Sequence, residues 1–364
     1  MKLLSIAIGL SISITSTGQV VNTATMDTMA FSVKGTVTVQ GYIDAYYAYK
    51  LNDPSSGDQP YFVSMARHNE LTINLAYIDI KYSASHIRAR FVPGFGTYIN
   101  CNYAAETGVL KNIVEASAGV NLSKKRGIWL DAGVLGSPYT NESAISKDHL
   151  AYTRSFAPEY VPYYLSGLKL TLPLSSKVNV YAYLLNGWQQ IVDQNKYKSI
   201  GTQLEVRLTD KLLLNWNTYL GKERSAGDSI IGNRMFSDLY FIYSGSRFSA
   251  TGCIHGGLQD QGGEKRGEWW QANIIGRYNL TDKLSVTGRL EYFSDPDQVQ
   301  IVPITDAQGF SSYSTSLGIN YLVADNAMLR LEGRTFFSDD NVYLRNETSV
   351  NDSNTFTANV TIWF

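Results

Sequence analysis

The sequence predicts an all-β fold, a transmembrane antiparallel β-barrel of about sixteen strands, and three observations lead to this prediction. Apolar and polar residues alternate along many segments of about ten residues, which is the period of a strand with two different faces. Short turns alternate with longer polar loops along the chain. Beyond residue 18, no stretch approaches the ~20 apolar residues of a transmembrane helix. We therefore expect long extracellular loops at one end of the barrel and short periplasmic turns at the other.

The start of the chain has the features of a secretory signal peptide. Met1-Lys2 is a short basic beginning, residues 3–14 are apolar, and Ser16-Thr17-Gly18 supplies the small residues of a cleavage site. The alternative for this stretch is a buried N-terminal helix. The sequence thus predicts a signal peptide at residues 1–18, a flexible lead-in at 19–31 and a barrel at 32–364.

Seven short turns and eight longer loops divide the rest of the chain. The turns carry the small or polar residues that close hairpins; they lie at residues 83–85, 123–125, 175–176, 209–210, 244–246, 281–282 and 324–326. The loops lie near residues 51–66, 101–111, 140–160, 189–198, 222–232, 258–267, 294–310 and 338–353. Fifteen such connections join about sixteen strands. A soluble β-propeller would instead repeat units of four strands without this alternation of long and short.

Charged residues recur in the middle of the predicted strands, always on one face. Such charges are costly against lipid, so we expect them to face a water-filled lumen. The expected lumen cations are Lys34, Arg88, Arg90, Lys169, Arg207, Arg277, Arg289, Arg330 and Arg334, and the expected acids are Asp44, Glu115, Asp131, Glu205, Glu291 and Glu332. Tyrosines near strand ends are expected in aromatic girdles at the membrane interfaces; these are Tyr46, Tyr47, Tyr240, Tyr243 and Tyr292.

The last predicted strand is strongly apolar on one face, which carries Phe356, Ala358, Val360, Ile362 and Phe364. A barrel has no free edge, so this strand is expected to pair with the first one and to turn its apolar face to lipid. We expect Val360, Ile362 and Phe364 to form the C-terminal signal through which the barrel-assembly machinery inserts such proteins into the membrane.

Three stretches resemble the OmpL-like β-barrel porin family. They are GYIDAYYAYKLNDP (Gly41 to Pro54), RARF (Arg88 to Phe91) and YTRSFAPEYVPYYLSGLKL (Tyr152 to Leu170), and the likeness extends over Val33 to Phe364. The resemblance implies a porin in the outer membrane of a Gram-negative cell, embedded in outer-membrane lipid, with no catalytic residues to assign.

The sequence offers little that would support catalysis or cofactor binding. It has no G-x-S-x-G, H-E-x-x-H, Walker or C-x-x-C motif, and its four histidines are far apart. Ser146, Asp148 and His149 are neighbours in one loop, but proximity in sequence does not make a catalytic triad. We therefore expect no enzyme activity, cofactor or metal, and the net charge of -1 gives no reason to expect a nucleic-acid partner.

Barrel size favours a channel, because barrels of about sixteen strands leave an aqueous passage whereas those of about eight are filled by side chains. The predicted function is passive diffusion of small hydrophilic solutes or ions, with a slight preference for anions. The alternative is an outer-membrane structural or adhesion barrel without a conducting pore. A homo-oligomer is compatible with either function.

The loop from Thr140 to Val161 is the longest and is the expected site of the pore constriction. Its aromatic residues suggest docking against the inner wall, since a mobile surface loop has no need of them. On this prediction Arg154 and Asp148 face arginines of the wall across the pore. The alternative is an extracellular flap. The complete set of expected constriction residues is Arg88, Arg90, Glu142, Lys147, Asp148, Arg154, Glu205 and Arg207.

Overall fold

The computed structural model describes residues 35–52 and 57–364, and sixteen strands within them form a closed antiparallel barrel. Each barrel strand pairs with its neighbour in the chain, and β18 closes the barrel against β1. The predicted signal peptide and lead-in, and Lys34 among the expected lumen cations, lie outside the described residues. The barrel strands are β1 Thr36–Lys50, β2 Leu71–Ser83, β3 Ile87–Phe95, β4 Ile113–Ser123, β5 Ile128–Gly136, β6 Tyr164–Pro173, β7 Val178–Leu185, β8 Ser199–Thr209, β9 Leu212–Arg224, β10 Ile231–Ser244, β11 Phe248–Asp260, β12 Arg266–Asn279, β13 Leu284–Asp295, β14 Phe310–Ala324, β15 Ala327–Phe337 and β18 Asp352–Trp363.

The remaining elements are short and belong to the long loops. They are α1 Thr97–Asn102, α2 Phe156–Glu159, two 3₁₀ turns at Gly108–Asn112 and Ser146–Asp148, and a hairpin of β16 Tyr343–Arg345 and β17 Thr348–Val350. Within the described ranges no helix is long and apolar enough to cross a bilayer.

The connections confirm the predicted alternation, with seven short turns at one end of the described barrel and eight longer connections at the other. Two of the predicted long loops are shorter than expected, at residues 225–230 and 261–265. The reason is that β9, β10, β11 and β12 run for 13 or 14 residues each, so alternating sequence that had been assigned to loops continues the strands.

The two faces of the barrel wall differ in chemistry as predicted. Outward side chains such as Val39 and Leu317 are apolar and exposed, at 58% and 76%. Inward side chains such as Asp44 and Arg289 are polar and buried, at 0% and 2%. Since successive side chains of a strand point to opposite faces, one correctly placed charge fixes the orientation of its whole strand.

The aromatic girdles contain different tyrosines from some of those predicted. Tyr46 and Tyr240 are buried and point into the lumen, because they share the parity of the inward Asp44 and Asp238 on the same strands. Being near a strand end does not decide which face a tyrosine occupies, whereas parity does.

Outward aromatic residues nevertheless form two rows. Trp270, Tyr292 and Tyr313 are in ring contact near the long loops, with centroids 4.9 and 4.4 Å apart. Phe248, Tyr278 and Tyr321 are exposed near the short turns. Tyr278 follows Trp270 by eight positions on β12. At about 3.4 Å per residue and a tilt of about 40°, the two rows are about 21 Å apart, close to the ~25 Å apolar band of a membrane barrel.

The seam between β1 and β18 confirms the predicted closing pair. Ile43 lies opposite Ile362 and Ala45 opposite Val360. The backbone of Gly41 exchanges hydrogen bonds of 2.8 and 3.0 Å with that of Phe364. Val360, Ile362 and Phe364 all point outward, with Phe364 73% exposed. The seam therefore has the apolar outer face that was expected from the sequence.

Inside the barrel, a large aromatic cluster occupies the part of the lumen near the long loops. Inward residues of several strands, including Trp269, Phe293 and Phe336, pack with Phe156 and Tyr343 from the loops. We call this the loop-end aromatic cluster. It narrows the outer part of the lumen, so any passage must run where this cluster is absent.

Candidate pore constriction

The third long connection, residues 137–163 and hereafter loop 3, lies inside the barrel. The backbone N–H of Thr140 donates to Asp238 Oδ2 on β10 at 2.6 Å. The N–H of Ser146 donates to the Tyr42 hydroxyl on β1 at 2.9 Å. Loop 3 thus contacts the inner wall from β10 to β1, as the inward prediction requires, and it is not an extracellular flap.

Buried acids of the wall accept backbone N–H groups of loop 3. Glu332 Oε2 on β15 accepts from Tyr152 and Thr153 at 2.9 and 2.8 Å. Glu291 Oε2 on β13 accepts from Phe156 at 2.7 Å. Charge-assisted hydrogen bonds in a buried site are stronger than neutral ones. Each also provides an acceptor for a buried backbone N–H group that would otherwise have none.

Buried arginines of the same wall bind the carbonyl groups of loop 3. Arg330 Nη1 donates to the Ser146 carbonyl at 2.8 Å, and Arg289 donates to the Thr153 carbonyl. Because the wall contacts the loop largely through its backbone, the position of loop 3 depends more on wall charges than on its own side chains.

Arg154 does not face the wall arginines across a pore, and that prediction is wrong. Its side chain is fully buried, and it donates to the carbonyls of Ser143, Tyr152 and Ala144 at 2.5, 2.5 and 2.7 Å. The guanidinium therefore ties two limbs of loop 3 together. A planar fork with five N–H donors is well suited to this role.

The other predicted residues of loop 3 lie nearer the open side. Glu142 accepts from the N–H and hydroxyl of Ser155 at 2.9 and 2.5 Å, and it also borders a cavity. Lys147 and Asp148 pair with each other at 2.9 Å, and the Asp148 side chain is 53% exposed. Loop 3 thus presents an acid, Glu142, next to this cavity and an ion pair with an exposed carboxylate, Lys147–Asp148.

The wall opposite loop 3 carries a group of seven charged side chains, which we call the wall patch. Arg90 binds Asp79 through Nε and Nη2 at 3.0 and 2.9 Å, and Glu115 through Nη1 at 2.5 Å. Arg88 binds Asp131 through two nitrogens at 2.7 and 2.5 Å. The wall patch consists of Lys81, Arg88, Arg90 and Lys169 with Asp79, Glu115 and Asp131.

The cations of the wall patch lie toward the lumen and its acids lie beneath them. The four basic side chains are 26–44% exposed, whereas the three acidic ones are 4–14% exposed. A solute that enters this part of the barrel therefore meets a cationic surface, although the chain as a whole is nearly neutral.

Free space in the barrel follows this wall. A cavity of about 390 Å³ adjoins the wall patch near the short turns. It shares Arg90 and Glu115 with a cavity of about 130 Å³ that is bounded by loop 3. Small residues line up across three neighbouring strands here and leave space in the lumen. Gly133 on β5 pairs with Ser117 on β4 and with Gly167 on β6.

A third chamber, of about 200 Å³, opens near the long loops and is lined by Trp188 and Arg234 among others. Trp188 stacks on Tyr139, with ring centroids 6.1 Å apart, and Tyr139 borders the cavity of about 130 Å³ next to loop 3. The Tyr139–Trp188 stack therefore lies between this chamber and the cavity bounded by loop 3.

Of the eight predicted constriction residues, Arg88 and Arg90 lie together on the wall, while Glu205 and Arg207 lie farther toward the turns on β8. Glu205 accepts from Asn179 at 3.0 Å, and Arg207 is exposed beside a turn. Neither bonds to loop 3 in the described part of the chain. Asp79 and Lys81 were not among the predicted lumen residues, although they alternate with apolar residues on β2 and so share one face of that strand. No group of three or more His, Cys, Asp or Glu side chains in the described ranges could hold a metal ion.

Similar structures share the barrel. OmpF of Salmonella typhi, solved in complex with daunomycin, is 11% identical with a TM-score of 0.62, covering 91% of this chain and 98% of its own. An anion-selective porin from Comamonas acidovorans is 10% identical with a TM-score of 0.59, covering 91% and 100%. OmpT, an outer membrane protein of Vibrio cholerae solved in a trimer form, is 11% identical with a TM-score of 0.58, covering 91% and 99%. At these identities the likeness shows the fold.

Sequence comparison identifies the family. Among proteins of curated function, none matches the chain. The family model described as "Putative beta-barrel porin-2, OmpL-like" matches residues 36–364, which spans every strand of the described barrel. The chain therefore belongs to the OmpL-like β-barrel porin-2 family and is a porin of the outer membrane.

Proposed function

We propose that this porin lets small hydrophilic solutes and ions diffuse passively through a narrow passage between loop 3 and the wall of β2 to β7. The observation that carries the proposal is the position of loop 3, which is bound to one side of the barrel and leaves the charged wall patch open on the other. Sixteen strands enclose enough space for such a passage even with a loop inside.

The passage would favour anions. Its exposed side chains at the wall patch are basic, and the acids that balance them are turned away from the solute. Rings of charged side chains select ions of the opposite sign. The anion-selective porin from Comamonas acidovorans offers a precedent within the same fold.

The barrel also indicates which lipids and proteins would contact this porin. Its outer apolar face would contact outer-membrane lipid, and Val360, Ile362 and Phe364 would be recognised by the barrel-assembly machinery. A homo-oligomer is proposed with the trimer form of OmpT as precedent. We propose passage of solutes in place of catalysis, without a cofactor or a nucleic-acid partner.

Planar-bilayer recording of the purified protein in a salt gradient tests this function. We expect discrete channels with a reversal potential displaced toward anion permeation. Deleting residues 143–155 should raise single-channel conductance, because it removes the segment that fills the lumen. Heat-modifiable mobility on gels checks that the deletion variant still forms a barrel. A silent bilayer with folded parent protein would instead support a structural or adhesion barrel.

A further inference from the structure

The wall patch has N–H donors on its lumen side that its own carboxylates do not use. Arg88 uses Nε and Nη2 for Asp131, and Nη1 has no carboxylate partner among the residues that the structure describes. Lys169 lies 3.9 Å from Asp131, and its side chain is 26% exposed. All four basic residues border one cavity of about 390 Å³. Several N–H donors can therefore converge on one solute.

These donors are held in place before any solute arrives. Arg88 is bound by two hydrogen bonds and also lies over the ring of Trp129, with 4.3 Å from guanidinium carbon to ring centroid. Arg90 is held by Asp79 and Glu115 on its two flanks. Fixing flexible cations in advance lowers the entropic cost of binding, which distinguishes a binding surface from scattered surface charge.

The same cavity has a less charged side. Tyr181 and Thr171 line it opposite Lys81, and Ser117 lies beside Glu115. The Thr171 hydroxyl is enclosed and has no hydrogen-bond partner within the described residues. An aromatic ring and a partly buried, largely uncharged wall next to a group of cations suit a solute with a neutral part and an anionic part.

We propose that the wall patch is a binding site for small phosphate-bearing solutes. The phosphoryl oxygens would bind Arg88, Arg90, Lys81 and Lys169, and a neutral portion would rest on Tyr181 and Thr171. A phosphoryl group brings close to two negative charges and three acceptor oxygens, so it meets several cations at once where a monocarboxylate meets fewer. The acids beneath neutralise most of the positive charge and keep binding weak, as conduction requires. This inference rests on the proposed porin function and names its solute class.

Inorganic phosphate is the probe, added to the full chain conducting chloride in a planar bilayer. Phosphate should reduce the chloride current saturably at millimolar concentration, since a bound dianion occupies the passage. In the double variant Lys81→Gln/Lys169→Gln the half-blocking concentration should rise about tenfold, the change expected when charge contacts to a phosphoryl group are lost. Lys211→Gln removes an exposed lysine at the β8–β9 turn, away from the wall patch, and should block like the parent.

The possible results distinguish failure of the binding-site proposal from failure of the porin function. If chloride current persists but phosphate leaves it unchanged, or blocks parent and double variant equally, the porin stands and the binding site is refuted. If acetate blocks as well as phosphate does, the site does not select phosphate and the proposal also fails. A bilayer that carries no chloride current would contradict the porin function and this proposal with it.

Discussion

At the residue scale, Glu159 joins loop 3 to the first long loop. Its Oε2 accepts from the Val63 N–H at 2.6 Å and its Oε1 from the Tyr163 hydroxyl at 3.0 Å. Burial raises the pKa of Glu159 from its usual value near 4.5 to about 7, against the opposing influence of Arg154. The folded protein thus holds this proton more tightly than the unfolded chain, so the stabilising contribution is complete below pH 4.5 and is lost as the pH rises through about 7.

This linkage predicts that the first long loop loosens in mildly alkaline solution. Trypsin cleavage at Arg67 in folded protein should accelerate several-fold from pH 6 to pH 8.5, relative to Glu159→Gln, whose amide does not titrate. Comparing the two proteins cancels the pH dependence of trypsin itself. Glu264→Gln, in the exposed connection between β11 and β12, serves as control and should behave like the parent. An equal response of parent and Glu159→Gln would show that Glu159 does not control the contact.

Residue-level prediction from the sequence succeeded for the lumen charges of the strands, but it failed for Tyr46 and Tyr240 and for Arg154 in loop 3. Arg88, Arg289 and Glu332 face the lumen as expected, because strict alternation fixes the side of every residue once one is known. Arg154 has no such periodicity, and its burial depends on carbonyls brought near it by the fold of the loop. That arrangement cannot be predicted from the spacing of residues in the sequence.

At the element scale, the ring of Phe364 packs over Gly41 at the seam. A Cβ at Gly41 would come within 2.2 Å of the Phe364 ring, whereas a Cβ at Gly333, on the neighbouring strand β15, would meet nothing within 4 Å. The strand pair itself was predictable from alternation at both ends of the barrel. The packing of the Phe364 ring on Gly41 was not, since it follows from the register that sets Phe364 against it.

Gly41→Val should therefore lower the yield of heat-modifiable barrel several-fold, while Gly333→Val should assemble like the parent. Phe364→Asp should also reduce yield, and barrels that do assemble should conduct normally, because residue 364 faces away from the lumen. The measurement is gel mobility with and without boiling, followed by bilayer recording of the folded fraction. Normal yield for both Gly41→Val and Phe364→Asp would remove Phe364 from the proposed assembly signal.

At the scale of the whole molecule, the barrel is divided lengthwise. One side of the lumen holds loop 3, fixed by buried acids and arginines of β13 and β15. The other side, from β2 to β7, keeps cavities and exposed cations near the short turns, while nearer the long loops Ala144 of loop 3 shares a hydrophobic cluster with Tyr77 and Val92 of this wall. The number of strands and the order of short and long loops were predictable because the sequence contains fifteen connections of alternating length. The division of the lumen was not, since it arises from contacts between residues more than a hundred positions apart.

Cysteine accessibility tests this division most directly. Ser117 on β4 lines the open cavity, and Ser314 on β14 is buried behind loop 3, where Arg334 Nε donates to it at 2.8 Å. Each is changed to cysteine in a background with Cys101→Ser and Cys253→Ser, and a charged thiol-specific reagent is added during bilayer recording. We predict a rapid, irreversible fall in current for Ser117→Cys and no change for Ser314→Cys. Block at Ser314→Cys, with Ser117→Cys insensitive, would contradict a passage along the β2 to β7 wall.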